Sequence, residues 1–355
     1  MIPLEISRTG EPALFRDVNS KTPEKSLTGL IGYTCSYIPV EILAATGFRP
    51  YRLLHGTSTL SREAEKFVRF DACPLVRSNI RFLIENQKSF VAVVGSTGCD
   101  MSRRMFDVIS EMTNIPVYLF NNPRTDKPEI FNDEIDWLVK ELEHLSNKTF
   151  SDDRIGNEIE KWETVRQQFR VLDQKRSSNP SQISTSDFQS AAINYHKGNI
   201  NIQIKVNENL ADKPRIYLLG SPIPYEANGV IQLIEEKLRI VGDYNCGISR
   251  FLNINIEGKD LTSIKKAYDH QPACIFKRPN KIFYEWVGSQ IKKLKCIGIV
   301  AWTLDYCDSF EFELKRIEKK FTLPLLRIRS DLSFQNLSQL KVRIEAFKEV
   351  LCSKT

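Results

Sequence analysis

The sequence contains no CxxC pair and no CxxxCxxC run, although it carries eight cysteines. That spacing excludes zinc ribbons, ferredoxin-type clusters and thioredoxin-like redox sites. It also lacks a GxxxxGK[ST] loop, so ATP is not bound through a P-loop, and no GxGxxG follows a strand to open a helix. Without a GxSxG elbow, a Ser-His-Asp hydrolase of that type is excluded. No apolar run approaches the ~20 residues that span a bilayer. The opening MIPLEISRTGEP has no basic-then-apolar layout of a signal peptide. Basic runs interleaved with aromatics are missing as well, which argues against a nucleic-acid surface. The expectation is a cytoplasmic chain bound to neither membrane nor nucleic acid. Thiols stay reduced there, so the cysteines read as buried small residues, catalytic thiols or metal ligands rather than disulfides.

What is present is the composition of a globular protein: 355 residues, 41% hydrophobic and 26% charged. Such a length holds two domains, each able to bury its own core. The net charge of +6, from 50 basic and 44 acidic residues, is spread along the chain and describes a solvated surface.

Short apolar runs alternate with helical patterns. Leu27–Cys35, Phe48–Leu54, FVAVV from Phe90 and PVYLF from Pro116 read as strands. Val40–Gly47, Ser61–Phe67, the stretch after Cys73 and Ser102–Met112 read as helices, with Gly56–Ser61 a loop. Asp133–Leu145 and Asp152–Gln174 are charged and helical, and Arg176–Ser186 is a polar break. Ser184–Lys197 is a further helix capped by Thr185 or Ser186. From Pro214 the strand–helix alternation resumes and runs to a last strand, Leu323–Ile328, and a last helix, Leu337–Leu351. The expected organisation is an N-terminal arm over 1–28, an α/β domain over 29–130, a helical insert over 131–212 and a second α/β domain over 213–355. Strands alternating with helices imply parallel sheets flanked by helices.

The two halves repeat one another. SYIPVE at Ser36–Glu41 matches SPIPYE at Ser221–Glu226, ACPLVRSN at Ala72–Asn79 matches ACIFKRPN at Ala273–Asn280, and Cys-Asp pairs follow a strand at Cys99 and Cys307. Three matches in one order indicate an internal duplication. The symmetry breaks at Cys35, which faces Gly220, and at Cys246, which faces Ser58. Each half thus offers three cysteines beyond strand ends: Cys35, Cys73 and Cys99, then Cys246, Cys274 and Cys307. Ligands in open α/β sheets bind beyond the carboxyl ends of the strands, so these six are the candidate site. Arg77 and Arg278 are expected to favour thiolate there. Thiolates suit iron–sulfur clusters or zinc; three thiols per half leave one iron of a cubane open, and six hold two cubanes. Cys296 and Cys352 read as inert. Glu41 and Glu226 lie at the loop mouths, where an acid either meets a helix dipole or moves a proton. Glu41 and His55 are the candidate proton-transfer residues; His144, His196 and His270 receive no role.

The segments GYTCSYIPVEILAATGFRPYRL, CPLVRSN, VVGSTGCD, DYNC, LDYC and LSQLKVRIEAFKEVL resemble the 2-hydroxyacyl-CoA dehydratase and benzoyl-CoA reductase superfamily over nearly the whole chain. The resemblance implies two flavodoxin-like (Rossmann-like) domains with added helices and an iron–sulfur cluster in the cleft between them. It also implies electrons from a separate ATP-hydrolysing iron–sulfur activator protein, and a homodimer or a heterodimer with a homologous subunit. A cysteine at each of the six positions is most similar to the double-cubane cluster proteins, whose 8Fe–9S cluster reduces small molecules at low potential. The alternative is a dehydratase-like or benzoyl-CoA-reductase-like subunit with one 4Fe–4S cluster and an acyl-CoA substrate. A second alternative is a non-catalytic electron-transfer subunit.

Overall fold

The structure, a computed structural model, describes residues 29–353 except 205, 207–209 and 334–336. The expected arm over 1–28 lies outside the described residues. Among the described residues eight strands form two four-stranded sheets in which every pair is parallel. In the first, β1 (Leu30–Tyr33), β2 (Arg49–Arg52), β3 (Phe90–Ser96) and β4 (Val117–Phe120) lie in the order β2-β1-β3-β4. In the second, β5 (Arg215–Gly220), β6 (Arg239–Asp243), β7 (Gly298–Leu304) and β8 (Leu325–Ser330) lie in the order β6-β5-β7-β8. The two orders are the same once the halves are aligned, so topology bears out the duplication read from three short matches. The fold is α/β: two flavodoxin-like parallel-sheet units with additional helices.

The central strands form because their residues are apolar on both faces, as a sheet covered twice requires. Every residue of β7 is buried, and all of β3 but Val91. Crossover helices cover them with one apolar face each: Met105, Phe106 and Ile109 on α4 (Asp100–Met112), and Phe310, Leu314 and Ile317 on α11 (Asp308–Lys320). Between β4 and β5 run α5 (Pro128–Ser146), α6 (Asp152–Ser177) and α7 (Thr185–His196). Helix α6 buries Ile155, Ile159, Trp162, Val165 and Phe169 at helical spacing. It packs on α1 (Val40–Ala45) of the first half and on β6 of the second, and so braces both. No helix among the described residues is long and apolar enough to cross a membrane.

Two local expectations are corrected. The segment after Gly56 is helical from Ser58: α2 (Ser58–Glu63) starts there because Thr57 Oγ1 accepts from Leu60 N, and a 3-10 turn over Ala64–Lys66 follows. The cap of α7 is Ser184, which accepts from Asp187 N at 3.0 Å. Thr185 and Ser186 are already helical and turn their hydroxyls to Ile240 O and Asn228 Oδ1.

A candidate metal centre lined by six cysteines

All six candidate cysteines line one cavity between the carboxyl ends of the two sheets, about 1100 Å³ with its mouth included. Cys35 follows β1 and Cys246 follows β6. Cys73, Cys99 and Cys307 are the N-caps of α3 (Pro74–Glu85), α4 and α11. Cys274 precedes α10 (Lys281–Lys293) and is held by its own N–H, which donates to Tyr37 Oη at 3.2 Å. Cys296 lies outside the cavity beneath the second sheet, and Cys352 is exposed at the end of α12 (Leu337–Cys352).

Contacts around the cysteines cross between the halves, Ser36 with Cys246 and Tyr37 with Cys274. Cys246 and Cys274 are the thiols that act electrostatically on Cys35, whereas Cys307 and Cys99 act on Cys73, and Cys99 on Cys307. Side-chain contacts join the first set: Arg52 Nη1 donates to Cys246 O at 2.8 Å, Ser36 Oγ lies 4.0 Å from Cys246 Sγ, and Gln271 Nε2 donates to Ser36 O at 3.4 Å. Each set therefore takes cysteines from both halves. Cys274 also acts on Cys99, so the sets adjoin.

The break in symmetry has a steric cause. Gly220, opposite Cys35 in the alignment, has φ +134°, and a Cβ there would overlap the Trp302 carbonyl oxygen. The second half cannot carry a cysteine at that position. Its third thiol comes instead from the loop after β6.

Arg77 and Arg278 do not serve the thiols. Arg77 Nη1 pairs with Glu65 Oε1 at 2.6 Å, and Arg278 donates to Ile275 O and Asn280 and faces Glu313. Burial instead dominates: it raises the Cys35 and Cys73 thiols, with neighbouring thiols adding to the effect, and pushes Cys307 up to about 11 despite a hydrogen bond with Ser221. The cations that do line the cavity are Arg52 and Arg250, absent from the candidates read in the sequence. Both are buried, and among the described residues neither has a carboxylate partner. The Nε of each has no hydrogen-bond partner, and Arg250 sits between the Tyr37 and Tyr244 rings, 5.1 and 4.8 Å from their centroids.

Neither Glu41 nor His55 reaches the cavity wall. Glu41 is 1% exposed; its Oε1 lies 2.6 Å from Arg166 Nη1 as a charge contact without an aligned hydrogen bond, and Oε2 accepts from Tyr268 Oη at 2.8 Å. His55 has both ring nitrogens engaged, Nδ1 with Glu226 Oε1 at 2.7 Å and Nε2 with Tyr51 Oη at 2.8 Å, and stacks on Phe82. The duplicated glutamates are thus ties between segments far apart in the chain. Glu41 meets Tyr268 of the second half, and Glu226 meets His55 and the Gly56 N–H of the first.

The donor set fits a group larger than one ion. Among the described residues no three His, Cys, Asp or Glu side chains converge on a single ion position. Six thiols nevertheless face a common space together with two guanidiniums that lack counter-charge. An anionic, many-atom, thiolate-held group satisfies both observations; a single tetrahedral zinc satisfies neither.

A duplicated parallel α/β fold with a thiol-lined cleft at the strand ends is the class of protein defined so far. The chain belongs to the 2-hydroxyglutaryl-CoA dehydratase, D-component family, whose model matches residues 35–351. It is 24% identical to the putative dehydratase subunit YjiM of Escherichia coli (strain K12), with 91% of each chain covered. To the (R)-phenyllactyl-CoA dehydratase beta subunit of Clostridium sporogenes it is 20% identical, over 90% of this chain and 91% of that one. To a subunit of benzoyl-CoA reductase from Thauera aromatica it is 22% identical, over 79% and 78%. These relatives span the dehydratase and reductase branches of the superfamily that the sequence resembles.

Proposed function

We propose that this chain is an iron–sulfur reductase component whose six cavity cysteines hold a double-cubane-type cluster. Low-potential electrons come to it from a separate ATP-dependent activator, and a small substrate is reduced. The observation that carries this reading is that Cys35, Cys73, Cys99, Cys246, Cys274 and Cys307 of one chain line one cavity. The cluster, when bound, supplies single electrons at low potential. The chain's residues do the rest: the cysteines bind, Arg52 and Arg250 offset negative charge, and Phe276, packed 3.1 Å from where a Gly98 Cβ would lie, gives the cavity an apolar wall. The activator, a second copy or homologous subunit, and a cytoplasmic setting belong to the same proposal.

The relatives named as CoA dehydratase and benzoyl-CoA reductase subunits favour a second reading, a subunit with one 4Fe–4S cluster that acts on an acyl-CoA. Iron and acid-labile sulfide determined on the anaerobically purified chain separates the two. About eight irons per chain support the double-cubane reading and about four the second; a chain that takes up no iron under reconstitution sinks both.

A further inference from the structure

The two thiol sets are built into different electrostatic surroundings. Cys73, Cys99 and Cys307 each stand at a helix N-terminus, where the N–H groups of Leu75 and Val76, of Met101 and Ser102, and of Phe310 face them. Three helix ends bring about half a charge apiece, and that charge falls off within a turn. Two carboxylates, Asp100 and Asp308, directly follow two of these cysteines and oppose it. The two arginines of the cavity wall, Arg52 and Arg250, are instead held on Cys246 O and Pro272 O, beside the other set.

The set of Cys35, Cys246 and Cys274 has two full charges on the cavity wall in place of such helix ends, with Lys277 behind them over the Tyr37 ring. Arg52 is fixed by its hydrogen bond to Cys246 O, by one from Tyr225 Oη to its own carbonyl, and by β2. Arg250 is fixed by its bond to Pro272 O at 3.0 Å and by the two tyrosine rings. Both are fully buried, so solvent screens them far less than it screens the exposed Asp100. Neither spends its charge on a carboxylate of the described residues. A buried cation without a counter-ion favours whichever state of its neighbour is more negative.

We infer that Arg52 and Arg250 make the Cys35–Cys246–Cys274 side of the cavity its electron-accepting side. The part of a cluster held there is reduced at a higher potential than the part held by Cys73, Cys99 and Cys307. Each reduction of a bound cluster would take one electron from a low-potential one-electron donor and turn one ferric iron ferrous, with no bond formed or broken; Arg52 and Arg250 would offset the added negative charge. Arg52 and Arg250 act through the ligands and are positioning residues. The inference rests on the proposal that the cavity holds a cluster.

The test is a stepwise reductive titration of the anaerobically reconstituted chain, followed by electron paramagnetic resonance and visible absorbance, with iron counted in every sample. The wild type takes electrons in two steps. Arg52→Gln and Arg250→Gln each lower the first step, so that at fixed ambient potential the reduced-to-oxidised ratio falls at least tenfold, ~59 mV for a one-electron couple. The second step stays within about twofold, and Arg250→Lys keeps the first step near wild type. Equal movement of both steps, movement of the second alone, or no movement at full iron content overturns the inference. If the glutamine variants fail to load, the wild type's ligands decide: Cys246→Ser must alter the first step and Cys99→Ser the second, and the reverse assignment overturns it. A wild type with iron but a single step overturns the inference while the cluster reading stands. A wild type that never takes up iron removes that reading, and the inference with it.

Discussion

At the scale of single residues, chemistry that depends on position along the chain was open to reading, and chemistry that depends on partners was not. The six cysteines stand directly after apolar runs or before helical ones, a local pattern, and all six face one cavity. Glu41 and His55 stood out for the same local reason. Their partners Arg166, Tyr268 and Glu226 come from remote segments, so only folding shows that their polar atoms are engaged. Arg52 and Arg250 carry no local signal at all, since an arginine in a strand or a short turn is usually a surface group. His196, given no role in the sequence, is fully buried against Tyr195 and Phe251, and among the described residues neither ring nitrogen has a hydrogen-bond partner. Burial first, and the Arg52 charge second, hold it well below its ordinary value. A depressed folded value gives a stability contribution that is present above the unfolded pKa of ~6.5 and lost as pH falls below it. Urea unfolding of the wild type should therefore weaken by up to about 1.4 kcal/mol per pH unit between roughly pH 6 and 5. His196→Phe should flatten that slope, and an unchanged slope would speak against a neutral buried imidazole. Cys296→Ala should cost about 1 kcal/mol by lost packing and leave the iron content unchanged; loss of iron would place that thiol in the wrong role.

At the scale of elements, the duplication is repeated in sequence but crossed in space. The glutamate after β1 and its counterpart after β5 each reach into the opposite half. Removing one partner of a buried ion pair strands the other charge, so Glu41→Gln should destabilise the chain by about 3 kcal/mol in urea unfolding. Iron bound per folded chain should stay constant, because the carboxylate does not face the cavity. A stable variant that loads less iron would return Glu41 to the site. Gly220→Ala should be more severe, about 4 kcal/mol or beyond, since its Cβ meets backbone rather than a side chain that can move. Expression and thermal unfolding read this directly, and a tolerated alanine would remove the steric account of why Cys35 has no counterpart. The strands and long helices were legible because two-sided burial and the helical period leave a local trace. The start of α2 and the cap of α7 were not, because each depends on a single hydroxyl chosen among neighbouring serines and threonines.

At the scale of the whole molecule, two sheets of the same strand order present their carboxyl ends to one another, with α6 bracing both. Alternating strands and helices disclosed that architecture, and the repeated motifs disclosed the duplication. Chain order puts three cysteines in each half, and a cleft between two units brings the loops of both together, so that Ser36 meets Cys246 and Tyr37 meets Cys274. From the contacts of Ser36 with Cys246 and of Tyr37 with Cys274, and from the three helix N-caps on the same cavity, we infer a crossed grouping: Cys35 with Cys246 and Cys274, and Cys307 with Cys73 and Cys99. The most direct measurement of this central claim is the iron content of two triple variants after anaerobic reconstitution. Replacing Cys73, Cys99 and Cys307 by alanine breaks one set and should leave about half of the wild-type iron. Replacing Cys35, Cys73 and Cys99 breaks both sets and should leave almost none. If the second variant keeps half of the iron and the first loses all of it, the cysteines are grouped by half and the crossed arrangement is contradicted.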